Sequence, residues 1–244
     1  MKVENGCLIF DGYTLIKDSL DVVPIDGKSL VNTISPNSYG LAVHDNEMME
    51  ALKGSDYLVL DGVYFGWWPL LRYGKRARRI TGWDCFVYYA NRLNQTGGRM
   101  FFLGSTEETL AKIKKRMEKD YPNVIVETFS PPFKSSFDDE DNKAMHSAIN
   151  AFNPDVLCVG MTAPKQEKWS YQNFSHLNVH VSISIGNVFD WYAGNSRRPS
   201  LFWQKIGMEW LARIFMRPEI FRRNIGNQML FFWHLLLRLL RIKK

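Results

Sequence analysis

Val156-Leu157-Cys158-Val159-Gly160-Met161-Thr162-Ala163-Pro164-Lys165-Gln166-Glu167-Lys168-Trp169 is the stretch on which the fold turns. Its first four residues form an unbroken apolar run, as expected of a strand buried on both faces. A glycine, a proline and then helix-compatible residues follow, which marks a strand passing into a helix. In open α/β sheets such crossings set backbone N–H groups and polar side chains at the carboxyl edge of the sheet, where ligands bind.

Outward from this point the same alternation continues. Strand-like runs stand at 57–60, 100–103, 124–126 and 181–185, with helix candidates at 107–119, 139–152 and 166–173 between or after them. This order predicts a Rossmann-like α/β fold, a mostly parallel sheet with helices on both faces. Ser105-Thr106-Glu107-Glu108 supplies a helix start, with a capping hydroxyl and carboxylates at the positive end of the helix dipole. Pro122 ends that helix.

With 244 residues, 45% of them hydrophobic, the chain can bury one large core. It has no repeat of 20–50 residues and no low-complexity segment, which argues against a solenoid or a disordered chain. Cys7, Cys85 and Cys158 are few, odd in number and far apart, fitting buried thiols in a reducing compartment. Glu4, Asp11, Lys17 and Asp18 leave no apolar signal core, so export is not expected. No linker is seen before residue 195. The reading is a catalytic core at 1–195 and an arginine-rich appendage at 196–244.

The net charge of +6 points to an anionic partner, and nucleic acid, a nucleotide diphosphate and an anionic membrane all satisfy its distribution. One basic cluster is Lys75-Arg76-Ala77-Arg78-Arg79; the other is the C-terminal third. Residues 229–240 are apolar nearly throughout and are followed by Arg241-Ile242-Lys243-Lys244. As a helix, these residues reach only ~18 Å against a hydrocarbon core of ~30 Å. An interfacial helix at about 228–244, amphipathic and anchored by aromatic and basic residues, fits better than a spanning one. The alternative is a helix buried in the core or in an oligomer.

Further motifs flank the crossing. Ser35-Pro36-Asn37 precedes Ser55-Asp56-Tyr57-Leu58-Val59-Leu60-Asp61-Gly62. Then come Arg79-Ile80-Thr81-Gly82-Trp83-Asp84, Gly98–Ser105 and Gly207-Met208-Glu209-Trp210-Leu211-Ala212-Arg213. In this order and spacing, over residues 30–225, the chain resembles the WecG/TagA/CpsF family of bacterial glycosyltransferases. That family includes the N-acetylmannosamine transferase of wall teichoic acid synthesis, the N-acetylmannosaminuronic acid transferase of enterobacterial common antigen, and capsule enzymes. Ser35 stands where the family commonly has threonine, and Leu60 where it has proline. Asn187 replaces a glycine, and Pro199-Ser200 replaces Ala-Pro, which bears on sugar specificity more than on activity.

The resemblance implies an inverting transfer of an N-acetylhexosamine-type sugar from a UDP donor to a polyprenyl-diphosphate-linked sugar, at the inner face of the cell membrane. It makes Asp61 the general base that takes the proton of the acceptor hydroxyl, while Asn37 helps form the donor or acceptor site. A base opposite the leaving group gives inversion, as in glycosidases that activate water. Ser35, Gln166 and Glu167 would line the substrate site, and Gly104, Gly160 and Gly186 would admit the ligand close to the backbone. The diphosphate would meet Arg79, Arg198, Arg213, Arg222 and Arg223, whose planar forks suit phosphate. No cofactor is expected, because the family is regarded as metal-independent. The Asp-x-Asp spacing within Asp138-Asp139-Glu140-Asp141 reads as an acidic helix start.

Other features read as structural. His176 and His180 flank a turn into a strand and do not form a metal pair, and Trp67-Trp68 and Tyr88-Tyr89 suit packing. Dinucleotide, Walker and nucleophile-elbow motifs are absent. The rival reading is a non-catalytic basic module for polyanions or membranes. Nucleic acid is disfavoured because the basic residues gather near an apolar tail. The tail is expected to favour self-association without a membrane. Deletion of residues 225–244 should abolish transfer to a lipid-linked acceptor.

Overall fold

The computed structural model describes residues 1–200, 203 and 218–240, with backbone alone for 218–223. Arg213 lies outside the described residues, as do the side chains of Arg222 and Arg223.

Nine strands form one sheet: β1 Lys2–Glu4, β2 Cys7–Phe10, β3 Tyr13–Ile16, β4 Ser29–Ile34, β5 Tyr57–Leu60, β6 Arg99–Gly104, β7 Ile125–Phe129, β8 Val156–Gly160 and β9 Val181–Ser184. Their order is β1-β2-β3-β5-β4-β9-β8-β6-β7. From β3 to β7 every neighbouring pair is parallel, and only the β1–β2–β3 meander at one edge is antiparallel.

The sequence reading missed the first four strands. Both turns of the meander are two-residue hairpins, Asn5-Gly6 and Asp11-Gly12. All four residues have positive φ (47°, 76°, 51° and 85°), the type I′ geometry that matches strand twist. The run expected at 124–126 begins instead at Ile125, because the Val124 N–H closes a turn onto the Tyr121 carbonyl.

Strand residues alternate between two helical layers, as a pleat of period two demands. On β6, Met100 and Phe102 enter one core cluster, and Phe101 and Leu103 enter another on the opposite face. The first layer holds α4 Gly82–Thr96, α5 Glu107–Asp120 and α8 Val188–Ala193. The second holds α1 Pro36–His44, α2 Asn46–Lys53, α3 Trp67–Tyr73, α6 Asp139–Phe152, α7 Lys165–Asn173 and α9 Pro218–Leu239. The α/β reading with helices on both faces therefore holds.

Helix α9 is longer than the apolar run suggested, and it is not an appendage in its packing. Its Phe231 and Leu235 belong to the core cluster with Tyr13, Phe65 and Trp68. Gly40 lets it approach α1, since a Cβ there would stand 2.4 Å from Asn227 Cβ. Tyr39 Oη and His234 Nδ1 are hydrogen-bonded at 3.0 Å, and Arg238 pairs with Asp11 at 3.0 Å while lying over the Trp68 ring. Deleting 225–244 would strip Phe231 and Leu235 from this core, so a loss of transfer in that deletion would also follow from damage to the fold.

Candidate active site

The carboxyl ends of β5, β4, β9, β8 and β6 lie side by side, each followed by one of the sequence motifs. At β5 the Asp61 N–H donates to the Ile34 carbonyl (3.1 Å), so the β4–β5 pairing continues into the turn. A Cβ on Gly62 would lie 3.0 Å from Pro36 Cδ and 3.2 Å from Ser35 Cβ. The Asp61-Gly62 turn thus packs directly on the start of α1. Asp61 itself is half-buried.

Ser35 begins α1 as part of a capping box. Its Oγ accepts from the Ser38 N–H (3.2 Å), and its own N–H donates to Ser38 Oγ (2.7 Å). Pro36 takes the first helical position, where its missing N–H costs no hydrogen bond. Asn37 follows, and its Oδ1 accepts from Asn227 Nδ2 of α9 at 3.2 Å. The C-terminal helix is therefore tied to the first turn of α1, whose start carries the Asp61-Gly62 turn.

Arg79 is brought to Asp61 through the backbone. Its Nε donates to the Asp61 carbonyl oxygen at 3.0 Å, while the Ile80 N–H donates to the Leu60 carbonyl at 3.0 Å. The rest of this motif builds a helix start: Thr81 and Asp84 form the capping box of α4. Gly82 passes 3.2 Å from Ile185, measured from the Cβ it lacks. Arg198 reaches the same end of α4, its guanidinium 5.4 Å from the ring centroids of both Trp83 and Trp191.

The β8 crossing closes on itself. The Met161 N–H donates to Gln166 Oε1 (3.3 Å), and Gln166 Nε2 donates to Glu167 Oε1 (2.8 Å). Both side chains are buried. Burial pushes the Glu167 carboxyl above its ordinary range, with hydrogen bonds from Gln166 and the backbone acting the other way. Its Oε2 has no hydrogen-bond partner among the described residues.

The three glycines divide. Gly104 has φ 122°, and a Cβ on it would strike the Gly160 carbonyl at 2.3 Å. A Cβ on Gly160 would strike the Phe189 ring at 2.6 Å. Glycine is required at these two positions by the protein's own packing. Gly186, at φ 49°, faces the Gln166 amide, with 3.4 Å from the missing Cβ to Oε1.

The acidic run is accounted for by a cap. Asp138 Oδ1 accepts from the Asp141 N–H (2.9 Å), Asp141 Oδ2 from the Asp138 N–H (3.1 Å), and Lys134 pairs with both. His180 sits near Asp155 at 3.4 Å, whereas His176 stacks on His146. A polar cleft of ≈ 570 Å³ between α6 and α7 is lined by none of the residues expected at the site.

The sequence reading did not name Ser38, Trp83, Trp191 or Asn227 as supports of these side chains. Trp83 stood within a quoted motif, but nothing in the sequence pairs Asn227 with Asn37.

A sequence profile described as the glycosyl transferase WecG/TagA/CpsF family matches residues 14–244. A Bacillus subtilis (strain 168) protein is 26% identical over 227 residues, 92% of this chain and 86% of the relative. It is named N-acetylglucosaminyldiphosphoundecaprenol N-acetyl-beta-D-mannosaminyltransferase. A Bacillus spizizenii protein of the same name is 26% identical over 189 residues, 77% of this chain and 71% of that protein.

Proposed function

From the premise that this chain belongs to the WecG/TagA/CpsF family of glycosyl transferases, we propose that it moves an N-acetylmannosamine-type sugar from a UDP donor to N-acetylglucosaminyl-diphospho-undecaprenol. It is a glycosyltransferase, and the reading as a non-catalytic basic module falls away. The donor and acceptor are proposed from the names of the two relatives and from the chemistry of the site.

One observation carries the mechanism: Asp61 ends β5 on the Ser35-Pro36 start of α1, and Arg79 is fixed to its carbonyl. A sugar hydroxyl is a poor nucleophile near neutral pH, so Asp61 accepts its proton as the new bond to the anomeric carbon forms. The bond to the diphosphate breaks on the opposite face, which inverts the anomeric centre. Arg79 and Arg198 supply positive charge for the departing diphosphate, joined by Arg213, Arg222 and Arg223 of the C-terminal segment. In this reading arginines replace a divalent ion and no cofactor is needed.

The enzyme would work at the inner face of the cell membrane, peripherally. No helix among the described residues is long and apolar enough to cross a membrane. Transfer should be measured with a panel of UDP-sugars and a short-chain polyprenyl-diphosphate-GlcNAc acceptor, with EDTA present. Asp61→Asn should lose about two or more orders of magnitude in rate. Undiminished turnover in that variant would remove Asp61 as the base, and activity only without EDTA would restore a metal.

A further inference from the structure

Helix α9 carries apolar residues on two opposite faces. Phe231 and Leu235 point into the core. Ile225, Met229, Trp233, Leu236 and Leu240 are exposed, at intervals of three and four residues that align them on the other side. Met229 is 61% and Trp233 54% exposed. A helix apolar all round is stable in water only if something covers its outer face.

That face does not stop at α9. On its flank Phe232 meets Tyr64 (ring centroids 5.7 Å) and Trp67 (6.1 Å), and Tyr64 meets Trp67 edge-on at 5.0 Å. Trp67 opens α3, and Leu70 and Leu71 follow on the same face one turn later. All three are exposed, Leu71 by 55%, while Trp68 turns inward to the core. Behind them Arg72, Lys75, Arg76 and Arg78 are exposed, and no acidic residue lies between Gly62 and Trp83. An aromatic and aliphatic patch flanked by Arg72, Lys75 and Arg76 matches the chemistry of an anionic lipid surface.

We propose that α3 and the outer face of α9 form one membrane-docking surface, occupied by an anionic phospholipid bilayer. This rests on the reading that the acceptor is lipid-linked, and it assigns α3 a role that the tail alone was expected to play. Successive turns join Asp61 to α3, with the Phe65, Gly66 and Trp67 N–H groups bonded to the Gly62, Val63 and Tyr64 carbonyls. Lipid contact through Trp67 and Leu71 therefore sets the Asp61 edge of the sheet toward the headgroups, where the diphosphate and sugar of a polyprenyl acceptor emerge.

The test is flotation of the full chain with phosphatidylcholine–phosphatidylglycerol vesicles and with phosphatidylcholine vesicles. Trp67→Ser/Leu70→Ser/Leu71→Ser should lower partitioning by about tenfold or more, as Met229→Ser/Trp233→Ser should. Arg72→Gln and Lys75→Gln should each lower it about fivefold, on the anionic vesicles alone. Transfer to long-chain acceptor in vesicles should fall with flotation in the α3 variant, while transfer to a short-chain acceptor stays at the wild-type rate. Near-ultraviolet circular dichroism checks the fold, and the single change Leu71→Gln serves if the triple variant is unstable.

Wild-type flotation by the α3 variant, with loss only in the α9 variant, would overturn the proposal. So would an α3 variant that turns from dimer to monomer in sedimentation velocity yet floats normally, since a second copy would then cover the patch. If wild type floats through α3 but transfers to no acceptor, the docking surface stands and the transferase assignment is what fails.

Discussion

Helices α7 and α9 break the usual partition of residues in opposite directions. On α7 the buried positions include Gln166, Glu167, Ser170 and Asn173, all polar. On α9 the exposed positions include Ile225, Met229, Trp233 and Leu236, all apolar. Buried polar groups are costly unless bonded, and exposed apolar stripes are unusual in a monomer. In the function proposed above, each departure falls on a working surface: α7 holds the loop after β8, and the outer face of α9 meets the bilayer. Departures from local rules are where function is found in an otherwise consistent sequence.

The largest effect should separate the two faces of α9. Phe231→Ala removes a ring that packs 5.5 Å from both Tyr39 and Phe65, and should cost about 3–5 kcal/mol in urea unfolding. Trp233→Ala on the opposite face should change stability by less than about 0.5 kcal/mol. Equal losses from the two substitutions would mean that the outer face is also packed in solution, and the contrast would collapse.

How much of this was legible in the sequence differs along the chain. The strands after residue 55 announced themselves as short apolar runs bounded by glycine or proline, and all were found. Strand β4 did not, because Asn32 and Thr33 interrupt its apolar pattern. Asn32 is buried in the core, where its Nδ2 donates to Ser55 Oγ (2.9 Å), a tertiary contact. The meander was legible and overlooked: Asn5-Gly6 and Asp11-Gly12 are the standard signals of two-residue hairpins.

For the candidate site, the motifs named the residues but not their neighbours. The packing of Asp61-Gly62 on Ser35-Pro36 depends on β4 and β5 being adjacent and parallel, which follows from sheet order. Asn37 and Asn227 meet across 190 residues of sequence. Phe231 and Leu235 lie within the recognised apolar run, for which burial in the core was the alternative; a run apolar on every side does not say which residues turn inward.

A smaller effect tests the buried polar face of α7. Glu167→Ala leaves the Gln166 amide without its acceptor, a loss of about 1–3 kcal/mol. Glu167→Gln keeps an acceptor oxygen and should restore most of that stability. The pair also sets a pH dependence. Burial raises the folded-state value of Glu167, so the fold favours the neutral acid. That contribution is complete below the unfolded carboxyl range, near pH ~4.3, and is lost as pH rises through the folded value. Wild type should therefore weaken relative to Glu167→Gln as pH climbs from about 4. A stability difference independent of pH would show that Glu167 gains a charge partner in solution.

The smallest effect lies on the opposite side of α7, where the helix behaves ordinarily. Lys168 pairs with Asp45 (3.1 Å) and with Glu47 of α2, all partly exposed. For Asp45, burial alone would raise the carboxyl, but the Met48 N–H and Lys168 outweigh it and hold it below its usual range. The Glu47 bond, against burial, raises Lys168. Lys168→Gln should cost only about 0.2–1 kcal/mol near neutral pH, because solvent screens the pair. Asp45 has a lowered value, so its share is present above the unfolded carboxyl range and disappears as pH falls through the folded value. The variant and wild type should therefore converge in urea midpoint in acid. If Lys168→Gln instead cost as much as Glu167→Ala, both sides of α7 would be structurally committed, and the special standing of its buried polar face would be gone.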